Sequence, residues 1–121
     1  MRNAIVWVDI PALNLNRALK FYSAVLGVDV RRVTMGDFAL GLLPHEEVGV
    51  GGCIAEMEGT QPSVAGPLVY LNVDGRLDEA TAAVEPNGGC VLAPKHQIGQ
   101  YGFRSVVRDS EGNRIALHSP N

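Results

Sequence analysis

The stretch AIVWVDIPALNLNRALKFYSAVLG, residues 4–27, decides the fold. Its opening alternates: Val6, Val8 and Ile10 fall on one face at period two, and Ile5, Trp7 and Asp9 fall on the other, as in a strand. Pro11 has no amide to donate and ends the ladder. The period then becomes helical. Asn14 is placed to cap the first turn, and Leu15, Ala18, Leu19, Tyr22, Val25 and Leu26 make one apolar stripe. Gly27 supplies a left-handed stop. Strands are expected next at 28–34, 38–43 and about 51–57, with a turn at Gly36-Asp37 and a longer polar loop from Pro44.

The same order then returns. Residues 68–73, LVYLNV, place Val69, Leu71 and Val73 on one face and Leu68, Tyr70 and Asn72 on the other. Leu77, Ala80, Thr81 and Val84 predict a short helix over 77–84, because Pro86 disfavours helix at Glu85. Gly88-Gly89 turn the chain into a strand at 90–93, and residues 94–101 read as a loop. Strands at 103–108 and 114–118 are joined by Asp109-Ser110-Glu111-Gly112-Asn113, residue types of a hairpin turn. The chain thus reads βαβββ twice: module one at 1–58, a linker at 59–65 and module two at 66–121, within a single domain. Neither half can bury both faces of a four-stranded sheet alone, so the expected fold is α+β, with each helix covering the aliphatic, convex face of its sheet. The opposite face carries Trp7, Asp9, Tyr70 and Asn72, a mixture that suits a partly wet cavity; packing against a second subunit is the alternative.

Composition narrows the function. With 46% hydrophobic and 19% charged residues, 121 residues can bury a core and are not disordered. The net charge is −3 and Arg31-Arg32 is the densest basic pair, which argues against nucleic acid or anionic membrane as partner. Apolar runs are short and interrupted, so no membrane span is expected. The start lacks the apolar stretch of a secretory leader, and a cytoplasmic protein is expected. Cys53 and Cys90 lack the spacing of a disulfide framework or a zinc site.

Several motifs then stand together: Ile10-Pro11, Leu15-Asn16-Arg17-Ala18, Phe21-Tyr22 and Leu26-Gly27 in the first half, the run from Leu68 to Asp74, Pro94-Lys95-His96-Gln97-Ile98-Gly99, and the ending from Asp109 to Pro120. Over essentially the whole chain they resemble the vicinal oxygen chelate superfamily of glyoxalase I, bleomycin-resistance proteins and extradiol dioxygenases. The nearest look is to its small members related to lactoylglutathione lyase. The resemblance implies paired βαβββ modules, cup-shaped mixed sheets and a homodimer. It also implies a divalent ion, held by His and Glu or Gln on first and last strands, that acts as a Lewis acid. Carried onto this chain, the ligand positions hold Ile5 or Trp7, Leu68 or Tyr70, and Ala116. Only the phenol among these has a donor atom, so no metal and no other cofactor is expected, nor the family's metal chemistry.

Seven residues are the candidate ligand contacts. Trp7, Tyr70, Asn72 and Tyr101 would line the cup, while Asp9, Arg104 and His118 would give it polarity. Trp7 offers a stacking surface or a core side chain. Asp9 is either a general base or the partner of an arginine. Arg104 can anchor a carboxylate or phosphate if it points inward, which a one-residue shift of the hairpin would reverse. His118 shares a face with Arg114 and Ala116 and is either a proton-transferring group or a hydrogen-bonded residue at a strand end. His96 and His45-Glu46-Glu47 read as solvated loop residues, Cys53 and Cys90 as small hydrophobes, and residues 49–52 as a place for close chain packing or a lid. The first functional reading is a binding protein for a small hydrophobic or aromatic molecule, with no catalytic residue assigned. The second is a lactoylglutathione-lyase-like lyase or isomerase, using Asp9, His96 or His118 as base. The third is a dimer that fills its own cup and acts through partners.

Overall fold

The computed structural model describes residues 3–121. The first half runs β1 (Trp7–Pro11), α1 (Leu15–Leu26), β2 (Arg32–Met35), β3 (Phe38–Leu42) and β4 (Gly51–Ala55). The second repeats the order with β5 (Val69–Asn72), α2 (Leu77–Ala82), β6 (Cys90–Gln97), β7 (Phe103–Arg108) and β8 (Arg114–Ser119). The strands form two four-stranded mixed sheets, β1-β4-β3-β2 and β5-β8-β7-β6. In each, the first and last strands pair parallel and the others antiparallel. The architecture is the expected α+β one.

One apolar core serves both halves. Ile10 and Ile54 from the first sheet meet Val107, Ile115 and Leu117 from the second, with the buried faces of both helices between them. Full burial of a Leu or Phe side chain is worth about 1.5–3 kcal/mol. Helix α1 contributes Leu15, Phe21, Tyr22 and Val25, all essentially inaccessible. Phe21 lies outside the stripe read from the sequence. It is buried because α1 packs on β3 and β4 and also against α2, so its apolar arc is wider than one sheet requires. Helix α2 has six residues, too few to stand alone; Leu77 and Ala80 tie it into the same core.

The ends of α1 are closed as the sequence predicts. Asn14 accepts from the Arg17 amide at 3.0 Å, and Gly27 adopts φ 71°, a region closed to most side chains. Residues of the second half then grip the same helix. Glu111 Oε1 accepts the Leu13 and Asn14 amides at 2.9 and 2.7 Å, and its carboxylate takes the Arg17 guanidinium at 2.7 and 2.9 Å. At the other end, Arg76 donates to the Val25 carbonyl at 2.8 Å. An acid at the N-terminus and a cation at the C-terminus both complement the helix dipole. The turn that carries Glu111 is itself locked. Asp109 accepts the amides of Glu111, Gly112 and Asn113 at 2.8–2.9 Å, and the Tyr22 hydroxyl donates to its other oxygen at 2.5 Å. Asn113 closes the contact by donating to the Pro11 carbonyl at 2.8 Å.

The boundaries differ most from the sequence reading at two strands. Strand β2 starts only at Arg32. Strand β6 continues to Gln97 instead of giving way to a loop at Pro94. Proline is tolerated there because β6 is an outer strand, and the ladder slips between Val91 and Ala93 and again between Ala93 and His96. His96 therefore stands in the sheet opposite Arg104, not in a solvated loop.

Burial acts to raise the Glu111 carboxyl, but the bonds from Arg17, the Asn14 amide and Ser110 outweigh it and hold the group below the ordinary carboxylate range. Glu111→Ala would strand two backbone amides and lower stability by about 2–3 kcal/mol in urea unfolding at neutral pH. Because the folded value is the lower one, this stabilisation is complete above the unfolded value of about 4.3 and is lost as pH falls through the folded value. The gap between wild type and variant should close in acid.

Candidate functional site

Strand alternation sorts the candidate residues into two groups. On the first sheet, the Trp7 indole donates to Asp9 Oδ1 at 2.8 Å, and the Cys53 thiol, across the ladder, donates to the same oxygen at 3.3 Å. Asp9 Oδ1 thus goes to an indole and a thiol, not to an arginine. Trp7 lies over Gly51, where a Cβ would come within 2.8 Å of its ring, so the glycine is needed for close approach. Leu40, Cys53 and Ala55 are buried beside them on this face, which is otherwise apolar.

The second sheet gathers the polar groups. Arg104 stands between His96 and His118 in the ladders. Its Nε donates to His96 Nε2 at 3.0 Å, and Nη1 donates to the Tyr70 hydroxyl. The guanidinium also lies 5.8 Å from the centre of the Tyr70 ring. His96 Nδ1 faces the Pro94 carbonyl at 2.8 Å, and since a carbonyl only accepts, that nitrogen carries the proton. In this pairing His96 Nε2 is the acceptor. By the same logic His118 holds its proton on Nε2, 2.6 Å from the Tyr101 carbonyl. Among the described residues its Nδ1 has no partner, and it is not a buried orphan. The Tyr70 and His118 rings meet edge-on at 6.3 Å. An open hollow of about 480 Å³ lies here, lined by Tyr70, Ile98, Tyr101 and His118.

A second cleft of about 400 Å³ separates β1 and β4 from β5, and Tyr70 and Asn72 form part of its wall. Apart from Tyr70 its lining has no titratable side chain, so its chemistry is that of an apolar gap between halves. Asn72 spends its side chain locally, accepting the Asp74 amide at 2.8 Å. Neither hollow is lined by Trp7. The structure joins Tyr70, Tyr101, Arg104 and His118, adds His96, and sets Trp7 with Asp9 on the other sheet.

Comparison with known proteins matches residues 4–117 to the model of the Glyoxalase/Bleomycin resistance protein/Dioxygenase superfamily. The chain belongs to this family. Relatives in Mycobacterium bovis and Mycobacterium tuberculosis, which carry the provisional name glyoxylase CFP32, are 31% identical over 95% of this chain. The chain spans 45% of their length. A glyoxalase/bleomycin resistance protein from Albidiferax ferrireducens superposes with TM-score 0.75 at 20% identity, covering 97% of this chain and 98% of its own. A glyoxalase I mutant from Zea mays gives 0.71 at 19%, covering 95% of this chain and 45% of its own. These likenesses carry the fold.

The family's divalent ion can be tested against the side chains of this glyoxalase-family protein. Tyr70 stands opposite Ala116 in the β5–β8 ladder and Trp7 opposite Gly51 in β1–β4. A phenol beside a methyl group, and an indole beside a glycine, make no donor set for a divalent ion. Among the described residues, no three His, Cys, Asp or Glu converge elsewhere. The residues present do not fit the metal.

Burial, followed by the hydrogen bond to Asp9 and its charge, pushes the Cys53 thiol up to about 11. At pH 8 only ~0.1% of it would be thiolate. Iodoacetamide should therefore label Cys90 in the native protein and Cys53 only after unfolding, as read by mass spectrometry of the peptides.

Proposed function

We propose that this protein is a small-molecule-binding member of the family that works without the family's metal, holding a hydrophobic or aromatic ligand against the concave face of its second sheet. The carrying observation is the convergence of Tyr70, His96, Arg104 and His118 beside an open hollow. Ligand sites combine apolar walls with a few oriented polar groups, and here both kinds meet. We place it in the cytoplasm as a homodimer. Two free cysteines suit a reducing compartment. A second copy would cover the exposed apolar side chains Trp7, Val33, Phe38 and Leu42 on the first sheet.

One observation favours a second reading, an isomerase or lyase that works by proton transfer. His118 lines the hollow and its Nδ1 has no partner among the described residues, so in the tautomer with the proton on Nε2 it carries a lone pair, while Tyr70 and Arg104 are donors on the same face. With a substrate bearing C–H next to a carbonyl, that C–H bond breaks and the proton passes to Nδ1. The electron pair moves onto the carbonyl oxygen, where Arg104 stabilises it. Where the deprotonated carbon bears a hydroxyl, the hydroxyl proton passes to the enolate oxygen as the C=O shifts across, and the proton held on Nδ1 returns to the former carbonyl carbon, which completes an isomerisation.

Native mass spectrometry of protein purified without chelators tests the proposal. The expected spectrum is a dimer with no stoichiometric divalent metal, with or without a retained small organic molecule. Dialysis against EDTA should leave Tm unchanged, and added Zn²⁺, Ni²⁺ or Mg²⁺ should raise it by no more than about 1 °C, since an ion that binds the native state must stabilise it. One divalent ion per chain, lost on dialysis together with stability, would overturn the metal-free reading.

A further inference from the structure

None of the four strands of the second sheet carries an Asp or Glu, although the chain holds 13 acids against 10 Lys and Arg. The β7–β8 ladder is unbroken from Phe103 opposite Ser119 to Arg108 opposite Arg114. Alternation therefore sets Arg104, Val106 and Arg108 on one face with His118, Ala116 and Arg114. Arg108 and Arg114 are directly opposed, a like-charged pair that a ladder disfavours. Among the described residues none of these three arginines makes a salt bridge. A face of one sign, in a protein of net charge −3, draws ligands of the other sign.

Arg104 is the best-built seat on that face. His96 fixes its Nε and Tyr70 its Nη1, so the guanidinium plane is set before any ligand arrives. Among the described residues Nη2 has no hydrogen-bond partner, and it is not a buried orphan, which leaves it open to solvent. A guanidinium held on two sides and open on the third is pre-organised for a planar oxyanion. Val106 and Ala116 on the same face are buried, while beside the guanidinium the half-exposed Tyr70 ring offers an apolar surface. That suits a flat ring. The far end is less suited to an acid group: Arg114 is tied through Nη2 to the Gly66 carbonyl at 3.1 Å, and it shares a cleft of about 270 Å³ with Asp9.

We propose that the concave face of the second sheet selects flat organic anions, aromatic or enol acids whose charged group pairs with Arg104. This rests on reading that face as the ligand cup, and adds the charge class of what it holds. Two fluorescent dyes separate the two claims. 8-Anilinonaphthalene-1-sulfonate and N-phenyl-1-naphthylamine share their rings and differ by the sulfonate. Titrated into the full chain, both should bind. Arg104→Gln should weaken the sulfonate about tenfold, the scale of one charge-assisted bond, and leave the neutral dye within about twofold. Arg31→Gln removes an exposed charge paired with Asp29 and should change neither. Arg104→Lys keeps the charge without the fork and should fall between wild type and glutamine. An unchanged sulfonate affinity in Arg104→Gln overturns the anion selection and leaves the cup standing. If the glutamine variant loses both dyes, the lysine variant decides, and wild-type sulfonate affinity there overturns the proposal. Failure of wild type to bind either dye overturns both claims.

Discussion

Helix α1 is held at both ends by charges of opposite sign that come from the other half of the chain. Glu111 takes the Leu13 and Asn14 amides just ahead of the first turn and Arg76 takes the Val25 carbonyl in the last, so the helix dipole is complemented twice. Asp109 adds the buried Tyr22 hydroxyl, whose ionisation is pushed far up, first by burial and then by that carboxylate. Pinning α1 from outside its own module fixes the position of the first sheet relative to the second. The shared apolar core supplies most of the free energy but is non-directional. These few polar contacts set the geometry.

That geometry explains why the site lies where it does. The aliphatic face of each sheet is used up by the helices and the common core, which leaves the opposite faces to do chemistry. The two halves have diverged on those faces. The first is apolar apart from Asp9, whose Oδ1 accepts from Trp7 and Cys53. The second is polar and cationic, and its tyrosine, histidines and arginine orient one another. The family's fold is retained here, with a network of oriented donors on the second sheet.

Much of this was legible from residue order. Alternation around Trp7 and Tyr70, the Asn14 cap and the Gly27 stop are local signals, and the repeat then dictates two sheets. The second half of β6 was hidden because Pro94 reads as a breaker unless the strand is known to lie at an edge, and edge position is a property of topology. His96 was lost with it. Phe21 was missed because a single stripe assumes a single covering surface. The turn from Asp109 to Asn113 carries turn residues, but its role as a lock depends on partners about 90 residues away, such as Arg17 and Tyr22. Its one sequence hint was two acids in a short turn with no cation between them. Arg104 could not be assigned to a face until the hairpin register was known, and that register sets it on the face of His118.

The irregular course of β6 has a consequence for self-association. Outer strands present unpaired amides and carbonyls, and a long flat one is a template for another chain. Here the edge carries Pro94, which lacks an amide, and Lys95, whose charge must stay hydrated or paired; the two slips in register bend the strand between them. The same irregularity sets His96 against Arg104. A change that straightened β6 would thus unseat the guanidinium and, in the same step, expose a continuous edge able to recruit further copies into an open-ended sheet.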